Sequence, residues 1–198
     1  MKVGVLALQG DVREHIAALQ SCEVEAFGVR RANEIESIDA LVLPGGESTT
    51  IAQLAEVFGI FDLIKNKIDN GMPVYGSCAG MILLADQILD AKVGQKSFGG
   101  LDITVRRNAF GRQVDSFESD ISFNDGSNQL IRAVFIRAPW VEKVSESVQV
   151  LATVDTHAVA VRSKTALATS FHPEITGDNR IHRYFIEQVA RPALQKVK

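Results

Sequence analysis

The amino-acid sequence predicts an α/β protein with a mostly parallel central sheet, helices on both faces and an antiparallel extension of the sheet. In the first half of the chain, short apolar segments alternate with segments of helical periodicity, which is typical of parallel strands joined by covering helices. After about residue 95, strand-like segments follow one another without long helices between them. Because neither a linker nor a repeat interrupts this pattern, we expect one domain over residues 1–198.

The individual elements follow from the spacing of the apolar residues. Val12, Ile16 and Leu19 recur at helical spacing, whereas the first apolar segment, residues 3–8, is short and rich in valine and leucine. In the first half, strands are predicted at residues 3–8, 23–29, 40–43 and 73–76, and helices at 12–21, 48–70 and 79–88. In the second half, strands are predicted at 101–107, 133–138, 148–154, 158–162 and 166–172, before a last helix over 178–190 that ends ahead of Pro192.

Composition and charge limit the class of function. Hydrophobic residues make up 46% and charged residues 23% of the chain, as in ordinary globular proteins, and the net charge of −3 offers no basic excess for nucleic-acid phosphates. The N-terminal apolar segment soon meets Gln9 and Asp11, so it predicts a strand and not a signal peptide. No segment approaches the ~20 apolar residues that span a membrane. Cys22 and Cys78 form neither a disulfide framework nor a metal-binding spacing, which favours a reducing, cytoplasmic setting.

Residues 76–80 read G-S-C-A-G and lie where a predicted strand meets a predicted helix. This G-x-C-x-G pattern has the form of a nucleophile elbow, in which the nucleophile occupies a strained turn between small neighbours. The N-terminus of the following helix would direct its partial positive charge at the sulfur and favour the thiolate. A buried structural cysteine is the alternative interpretation of Cys78.

A nucleophilic cysteine needs a general base, and the base needs a group that orients it. His172 is the candidate base, because it ends a strand-like segment and is followed by Pro173 and Glu174. The carboxylate of Glu174 could then fix the tautomer of the imidazole. The alternative is a surface turn with incidental polar residues. The remaining histidines are predicted to lie at the surface or near a turn: His15 and His182 in helices, and His157 beside a turn.

Residues 44–50 read P-G-G-E-S-T-T and follow the third predicted strand. Two glycines at the carboxyl end of a strand let the backbone approach a ligand, and their N–H groups could point at a developing oxyanion. Ser48 or Thr49 would cap the helix that follows. The alternative is a plain glycine turn before a capped helix. The segment lacks the lysine of a phosphate-binding P-loop.

Together these motifs resemble those of the class I, triad-type glutamine amidotransferases in content, order and spacing: P-G-G-E-S-T-T at 44–50, G-S-C-A-G at 76–80 and F-H-P-E at 171–174. A narrower resemblance is to the glutaminase subunits of pyridoxal 5′-phosphate synthases. It rests on L-Q-G-D-V-R-E-H at 8–15, R-N-A-F-G-R-Q-V-D-S-F-E at 107–118 and F-I-R-A-P at 135–139. Ser77 stands where relatives commonly carry threonine, and residues 91–98 match no signature.

The resemblance implies a role for particular residues of this chain. It makes Cys78 the nucleophile, His172 the base and Glu174 the orienting acid. It also implies an oxyanion site formed by the backbone at Gly46 and Ala79. The resemblance places the L-glutamine site at six residues: Gly46, Glu47, Ser48, Arg107, Ile136 and Arg137.

The implied reaction is hydrolysis of L-glutamine to glutamate and ammonia, without a metal or an organic cofactor. The implied partner is a synthase subunit that receives the ammonia in a multi-subunit complex and builds pyridoxal 5′-phosphate (vitamin B6). The resemblance also implies that this partner activates the glutaminase by ordering the oxyanion peptide at Gly45–Gly46. Three alternatives remain open: a glutaminase serving another synthase, a non-catalytic subunit that keeps the fold, and an elbow-cysteine hydrolase or chaperone of similar architecture. Arg106, Arg112 and Asp115 are candidate interface residues by their position in a polar segment.

Overall fold

The computed structural model describes residues 1–109 and 116–195 of the chain. In chain order its strands are β1 (Lys2–Leu6), β2 (Glu25–Val29), β3 (Ala40–Leu43), β4 (Val74–Ser77), β5 (Ala85–Leu89), β6 (Leu101–Arg106), β7 (Ser116–Ser122), β8 (Leu130–Ile136), β9 (Trp140–Val144), β10 (Gln149–Val154), β11 (His157–Arg162) and β12 (Ala166–Thr169). Its α-helices are α1 (Val12–Gln20), α2 (Ala32–Glu36), α3 (Ser48–Val57), α4 (Phe61–Asp69), α5 (Ala79–Leu84), α6 (Arg180–Tyr184) and α7 (Arg191–Gln195). A 3₁₀ turn spans Pro173–Ile175, and a π-helical segment, Phe185–Ala190, joins α6 to α7.

The described residues form a ten-stranded sheet in the order β2-β1-β3-β4-β12-β11-β9-β6-β5, with β10 paired to β11. The strands from β2 to β12 in that order pair in parallel. From β11 onward the pairing is antiparallel except between β5 and β6, and β7 and β8 form a separate antiparallel pair. This arrangement confirms the predicted α/β class with a mostly parallel sheet and an antiparallel extension.

Apolar residues on both faces of the sheet enter the core. In β3, Leu41 and Leu43 pack on one face, while Ala40 and Val42 pack on the other, because successive strand residues point to opposite faces. The first face is covered by α3, α4 and α5 and the second by α1, α6 and the π-helical segment. With both faces covered, the carboxyl ends of the parallel strands are left for the functional site.

Three of the predicted helices differ from the structure in continuity or length. The single helix predicted over 48–70 is two helices, because the chain turns at Gly59, whose φ is +67°. The helix predicted over 79–88 ends at Leu84, and the next residues form β5, which pairs with β6. The last helical segment does not stop before Pro192, because the π-helical segment over Phe185–Ala190 continues into α7, which contains Pro192.

Candidate active site

Cys78 lies at a sharp turn between β4 and α5. Its φ and ψ are 49° and −100°, a strained combination for any residue except glycine. The turn is tightly packed, since a Cβ on Gly80 would clash with the carbonyl oxygen of Leu43. The Cys78 amide donates a 2.7 Å hydrogen bond to the carbonyl of Thr169 in β12, which anchors the turn to the neighbouring strand. The structure therefore has the strained elbow that the G-x-C-x-G pattern predicts.

His172 and Glu174 follow β12 and lie beside the same turn. The amide of His172 donates to the carbonyl of Val134 at 2.9 Å, which fixes the backbone at the end of the strand. The imidazole Nδ1 lies 2.7 Å from Glu174 Oε1 and 3.3 Å from Asp11 Oδ2. Glu174 is buried, whereas the Asp11 side chain is partly exposed. Two carboxylates therefore face one ring nitrogen, and Asp11 was not predicted from the sequence.

The charge of His172 is set by these neighbours. Burial alone favours the neutral imidazole and is the largest influence on it. Hydrogen bonds with Asp11, Cys78 and Glu174 nevertheless raise the pKa of His172 to about 12. Burial raises the pKa of Glu174, and the hydrogen bond from His172 opposes that change. The raised pKa favours the imidazolium form of His172 beside the Cys78 sulfur at neutral pH.

A cavity of about 170 Å³ opens beside Cys78. It is lined by all of the residues that the resemblance assigned to glutamine or oxyanion binding: Gly46, Glu47, Ser48, Ala79, Arg107, Ile136 and Arg137. Ile82, Lys92 and Asn108 also line it and were not predicted. Asn108 and Arg137 have φ values of 45° and 44°. Besides Cys78, two further residues that line the cavity therefore have a backbone conformation that is rare outside glycine.

One wall of the cavity carries a network of charged and polar groups. Arg107, whose side chain is 9% exposed, donates to Glu47 Oε1 at 3.0 Å and also hydrogen-bonds Gln95. Gln95 in turn donates to Ser48 Oγ at 3.1 Å, and Lys92 lies 3.5 Å from the Glu47 carboxylate. The unmatched segment 91–98 therefore reaches the cavity rim.

Ser48 or Thr49 was predicted to cap α3, but the cap is Glu47. Its carboxylate accepts a 2.9 Å hydrogen bond from the Thr50 amide. Burial of Glu47 favours the neutral acid, but hydrogen bonds from Thr50 and Thr49 and the charge of Lys92 lower its pKa. Glu47 is therefore a carboxylate at the cavity wall.

The loop between β1 and α1 holds the backbone of the glycine pair. The Asp11 amide donates to the Gly45 carbonyl at 3.3 Å, and the Glu47 amide donates to Gln9 Oε1 at 2.8 Å. Because the C=O and N–H of a trans peptide point in opposite directions, the Gly46 N–H points away from the Asp11 amide. Gln9 and Asp11 therefore hold the conformation of this peptide and the direction of the Gly46 N–H.

Two histidines predicted at the surface are buried. His15 and His182 both have 0% exposure, and His15 Nδ1 lies 2.9 Å from His182 Nε2. The prediction was wrong because the charged residues at positions 13, 14, 180 and 183 indicate an exposed face, whereas the two histidines point inward. The spacing of His15 with Leu19, four residues later and also buried, was the available signal. Arg112 and Asp115 lie outside the described residues, and Arg106 pairs with Glu142 and Asp90.

Within residues 1–109 and 116–195, one set of side chains has the spacing of metal ligands: Asp11, His172 and Glu174, with donor atoms within 4.8 Å of one another. These atoms already form the ion pairs around His172 Nδ1, so a metal ion there would displace the contacts that orient the imidazole. None of the described helices is long and apolar enough to cross a membrane.

Relatives of the chain are recognised at the level of sequence. The model of the SNO glutamine amidotransferase family matches residues 5–191. The pyridoxal 5′-phosphate synthase subunit PdxT of Mycobacteroides abscessus is 58% identical over 187 residues, covering 94% of this chain and 96% of that protein. PdxT of Streptomyces coelicolor is 57% identical over 187 residues, covering 94% of this chain and 93% of that protein.

Solved structures agree with this relationship. One described as a glutamine amidotransferase has a TM-score of 0.87 and 47% identity, covering 94% of this chain and 97% of that chain. PurLQS from Thermotoga maritima, at 16% identity and a TM-score of 0.64 over 100% of this chain and 98% of that chain, shows the shared fold alone. With the family model matched over most of its length, the chain belongs to the SNO glutamine amidotransferase family.

Proposed function

We propose that this chain hydrolyses L-glutamine to L-glutamate and ammonia, and that it delivers the ammonia to the synthase subunit of a pyridoxal 5′-phosphate synthase. The observation that carries the proposal is the single cavity that joins Cys78 to every residue assigned to glutamine. The PdxT relatives, named as subunits of that synthase, support the choice of partner. Residues 1–198 would act as one glutaminase domain, and its two free cysteines favour a cytoplasmic setting.

The polar wall of the cavity suits the charged end of a free amino acid. Glu47 offers a carboxylate for the α-amino group, and Arg107 offers a guanidinium for the α-carboxylate. These two side chains now pair with each other, so the substrate would replace one ion pair with two. The side-chain amide of glutamine would then extend toward Cys78 at the other end of the cavity.

The chemistry follows from the charges of the triad. The Cys78 thiolate attacks the side-chain amide carbon, and backbone N–H groups of Gly46 and Ala79 hold the oxyanion that forms. The His172 imidazolium then gives its proton to the nitrogen, ammonia leaves, and a γ-glutamyl thioester remains on Cys78. Neutral His172 next takes a proton from water, whose oxygen attacks the thioester. Glutamate departs, and the thiolate and imidazolium are restored.

The partner is tested by measuring glutamate release with and without a candidate pyridoxal 5′-phosphate synthase subunit. We expect the two proteins to co-purify and the synthase to raise glutaminase activity, because the glycine-pair peptide is held by a loop that a bound subunit could move. With pentose and triose phosphates present, glutamine should support formation of pyridoxal 5′-phosphate. Co-purification with a different synthase, and no response to this one, would contradict the proposed partner.

Asp11 is expected to set the alkaline limit of activity. Its carboxylate raises the pKa of His172, and a group with a raised pKa loses its proton as pH rises toward that pKa. In Asp11→Asn the imidazolium should therefore be lost at lower pH. Because water screens the partly exposed carboxylate, we expect the alkaline limb to move down by roughly one unit. Measured from about pH 7 to 11, kcat/KM of the variant should begin to fall toward the alkaline end, whereas that of the parent, with a His172 pKa of about 12, should stay flat.

Glu14→Gln is the matched control for Asp11→Asn, because it removes one negative charge from an exposed position of α1. Its pH profile should follow that of the parent. An unchanged alkaline profile in Asp11→Asn would mean that Glu174 and Cys78, without Asp11, determine the charge of His172.

A further inference from the structure

A chain of buried polar side chains extends from Glu174 to His15, and from His15 to Ser77 and His182. Glu174 Oε1 faces His172, while Glu174 Oε2 lies 3.6 Å from His15 Nε2 and accepts no hydrogen bond from any described residue. His15 Nε2 is also 2.9 Å from Ser77 Oγ, in the residue before the nucleophile. On its other side, His15 Nδ1 lies 2.9 Å from His182 Nε2. The carboxylate of Glu174 is thus placed between two imidazoles.

The position of the proton on His15 follows from these contacts. If His15 carried it on Nδ1, the lone pair of Nε2 would face the carboxylate of Glu174. His182 would then carry its own proton on Nδ1, which has no partner among the described residues, so that a buried donor would be unpaired. If His182 instead donates from Nε2 to His15 Nδ1, the His15 Nε2–H points at Ser77 Oγ and Glu174 Oε2. The second arrangement leaves a lone pair, and not an N–H, unpaired at His182 Nδ1, and it turns an N–H toward the Glu174 carboxylate, so it is the more favourable of the two.

We propose that His15 is a positioning residue that acts through Glu174, with its Nε2–H directed at Oε2 and with His182 fixing that tautomer. The proposal deepens the proposed function and rests on it for its effect on turnover. The N–H favours the charged carboxylate, the carboxylate favours the His172 imidazolium, and the imidazolium favours the Cys78 thiolate. The same N–H of His15 also contacts the hydroxyl of Ser77, the last residue of β4, which leads into the elbow.

His15 and His182 both remain neutral, as the proposed tautomer of His15 requires. Burial, followed by the charges of His182 and His172, holds the pKa of His15 well below its usual value. Burial lowers the pKa of His182 to about 4, against the opposing charge of Asp178. The Tyr75 ring packs edge-on against both histidines. The titratable groups that face this pair include His172 and Glu174 beside His15, and Asp178 near His182.

The tautomer is tested first, in the unsubstituted full-length protein, by long-range ¹H–¹⁵N NMR of the imidazoles at neutral pH. The expected spectrum shows His15 protonated at Nε2 and bare at Nδ1, with His182 also protonated at Nε2. His15→Phe and His182→Phe assign the signals. A His15 proton on Nδ1, or a doubly protonated His15, would overturn the proposal. This measurement needs neither glutamine nor a synthase.

The effect on the nucleophile is tested by the rate of Cys78 alkylation with iodoacetamide at neutral pH, followed by peptide mass spectrometry. His15→Phe keeps the ring shape and removes both nitrogens, so we expect alkylation to slow at least fivefold. His15→Gln restores a donor and an acceptor in one amide, and we expect its rate to lie within about twofold of the parent. A merely structural role would loosen the site and speed alkylation, or would make the two variants change together with their melting temperatures. Either result would contradict the proposal.

Turnover separates this inference from the proposed function. With glutamine as substrate, His15→Phe should lower kcat about tenfold and leave KM within twofold, since His15 does not line the cavity. If KM rose and kcat were unchanged, His15 would act on substrate binding and the inference would fail. If the parent protein released no ammonia from glutamine, with or without a synthase, the proposed function would fail, while the NMR and alkylation results would still decide the role of His15.

Discussion

Cys78→Ala is expected to abolish glutamine hydrolysis while the protein remains folded. The substitution removes the only atom at the elbow that can form the thioester, and loss of a triad nucleophile lowers kcat by on the order of 10⁴-fold or more. The side chain is small and 7% exposed, so its loss should change the free energy of unfolding by only about 1 kcal/mol. Ammonia release measures the first effect and thermal unfolding the second.

A complex with the synthase gives this variant a second readout. With Cys78→Ala, glutamine should no longer support formation of pyridoxal 5′-phosphate, whereas an added ammonium salt should still support it. That pair of results would locate the defect in ammonia production and leave subunit binding intact. Glutamine-dependent ammonia release by Cys78→Ala would instead exclude Cys78 as the nucleophile.

Cys22→Ala is the matched control, because it removes the same group from a residue that does not line the cavity. Cys22 is buried, and its thiol lies 3.9 Å from the carbonyl oxygen of Asn179. Burial raises the pKa of this thiol, so it stays protonated and unreactive at neutral pH. Turnover within a few-fold of the parent is expected, and complete loss would give Cys22 a role beyond packing.

The parts of the site that were predictable from the sequence are those whose functional residues lie close together in the chain. The elbow at Cys78 needs small neighbours beside it in the chain, and His172 and Glu174 are two residues apart. Both patterns are therefore visible without a fold. The contact between Asp11 and His172 brings the loop between β1 and α1 to the end of β12. The residues next to either of them in the chain do not indicate this contact. The cavity residues outside the local motifs could be assigned only through the family resemblance.

The buried histidines show a second limit of sequence interpretation. Residues 13–15 combine Arg13, Glu14 and His15, and a polar run of this kind usually lies in solvent. His15 is nevertheless on the inward face of α1, where His182 and Ser77 satisfy its nitrogens. Buried polar groups need partners, and those partners come from distant segments. Similarly, residues 85–89 are apolar enough for the end of a helix, and only pairing with β6 makes them a strand.

Gly45→Ala is expected to lower kcat by about 100-fold, because it would push the imidazole of His172 out of line. A Cβ on Gly45 would lie 2.8 Å from His172 Nδ1 and 2.9 Å from Asp11 Oδ2, well inside van der Waals contact, and would also clash with His172 Cε1. The ring cannot retreat without leaving Glu174, which holds Nδ1 at 2.7 Å. Overpacking of this kind also costs about 1–3 kcal/mol of stability, so unfolding must be measured beside kcat and KM.

Gly71→Ala separates the loss of stability from the loss of alignment. Gly71 has a φ of +89°, and none of the described residues beyond its chain neighbours comes within 4 Å of an added Cβ, so alanine there would cost roughly 1 kcal/mol through backbone strain without touching the site. Its kcat should match the parent. If Gly45→Ala raised KM alone, its methyl group would obstruct the cavity and not the triad. If Gly45→Ala kept the parent kcat, the imidazole could move without loss of activity. Catalysis would then not depend on the present contact between His172 and Glu174.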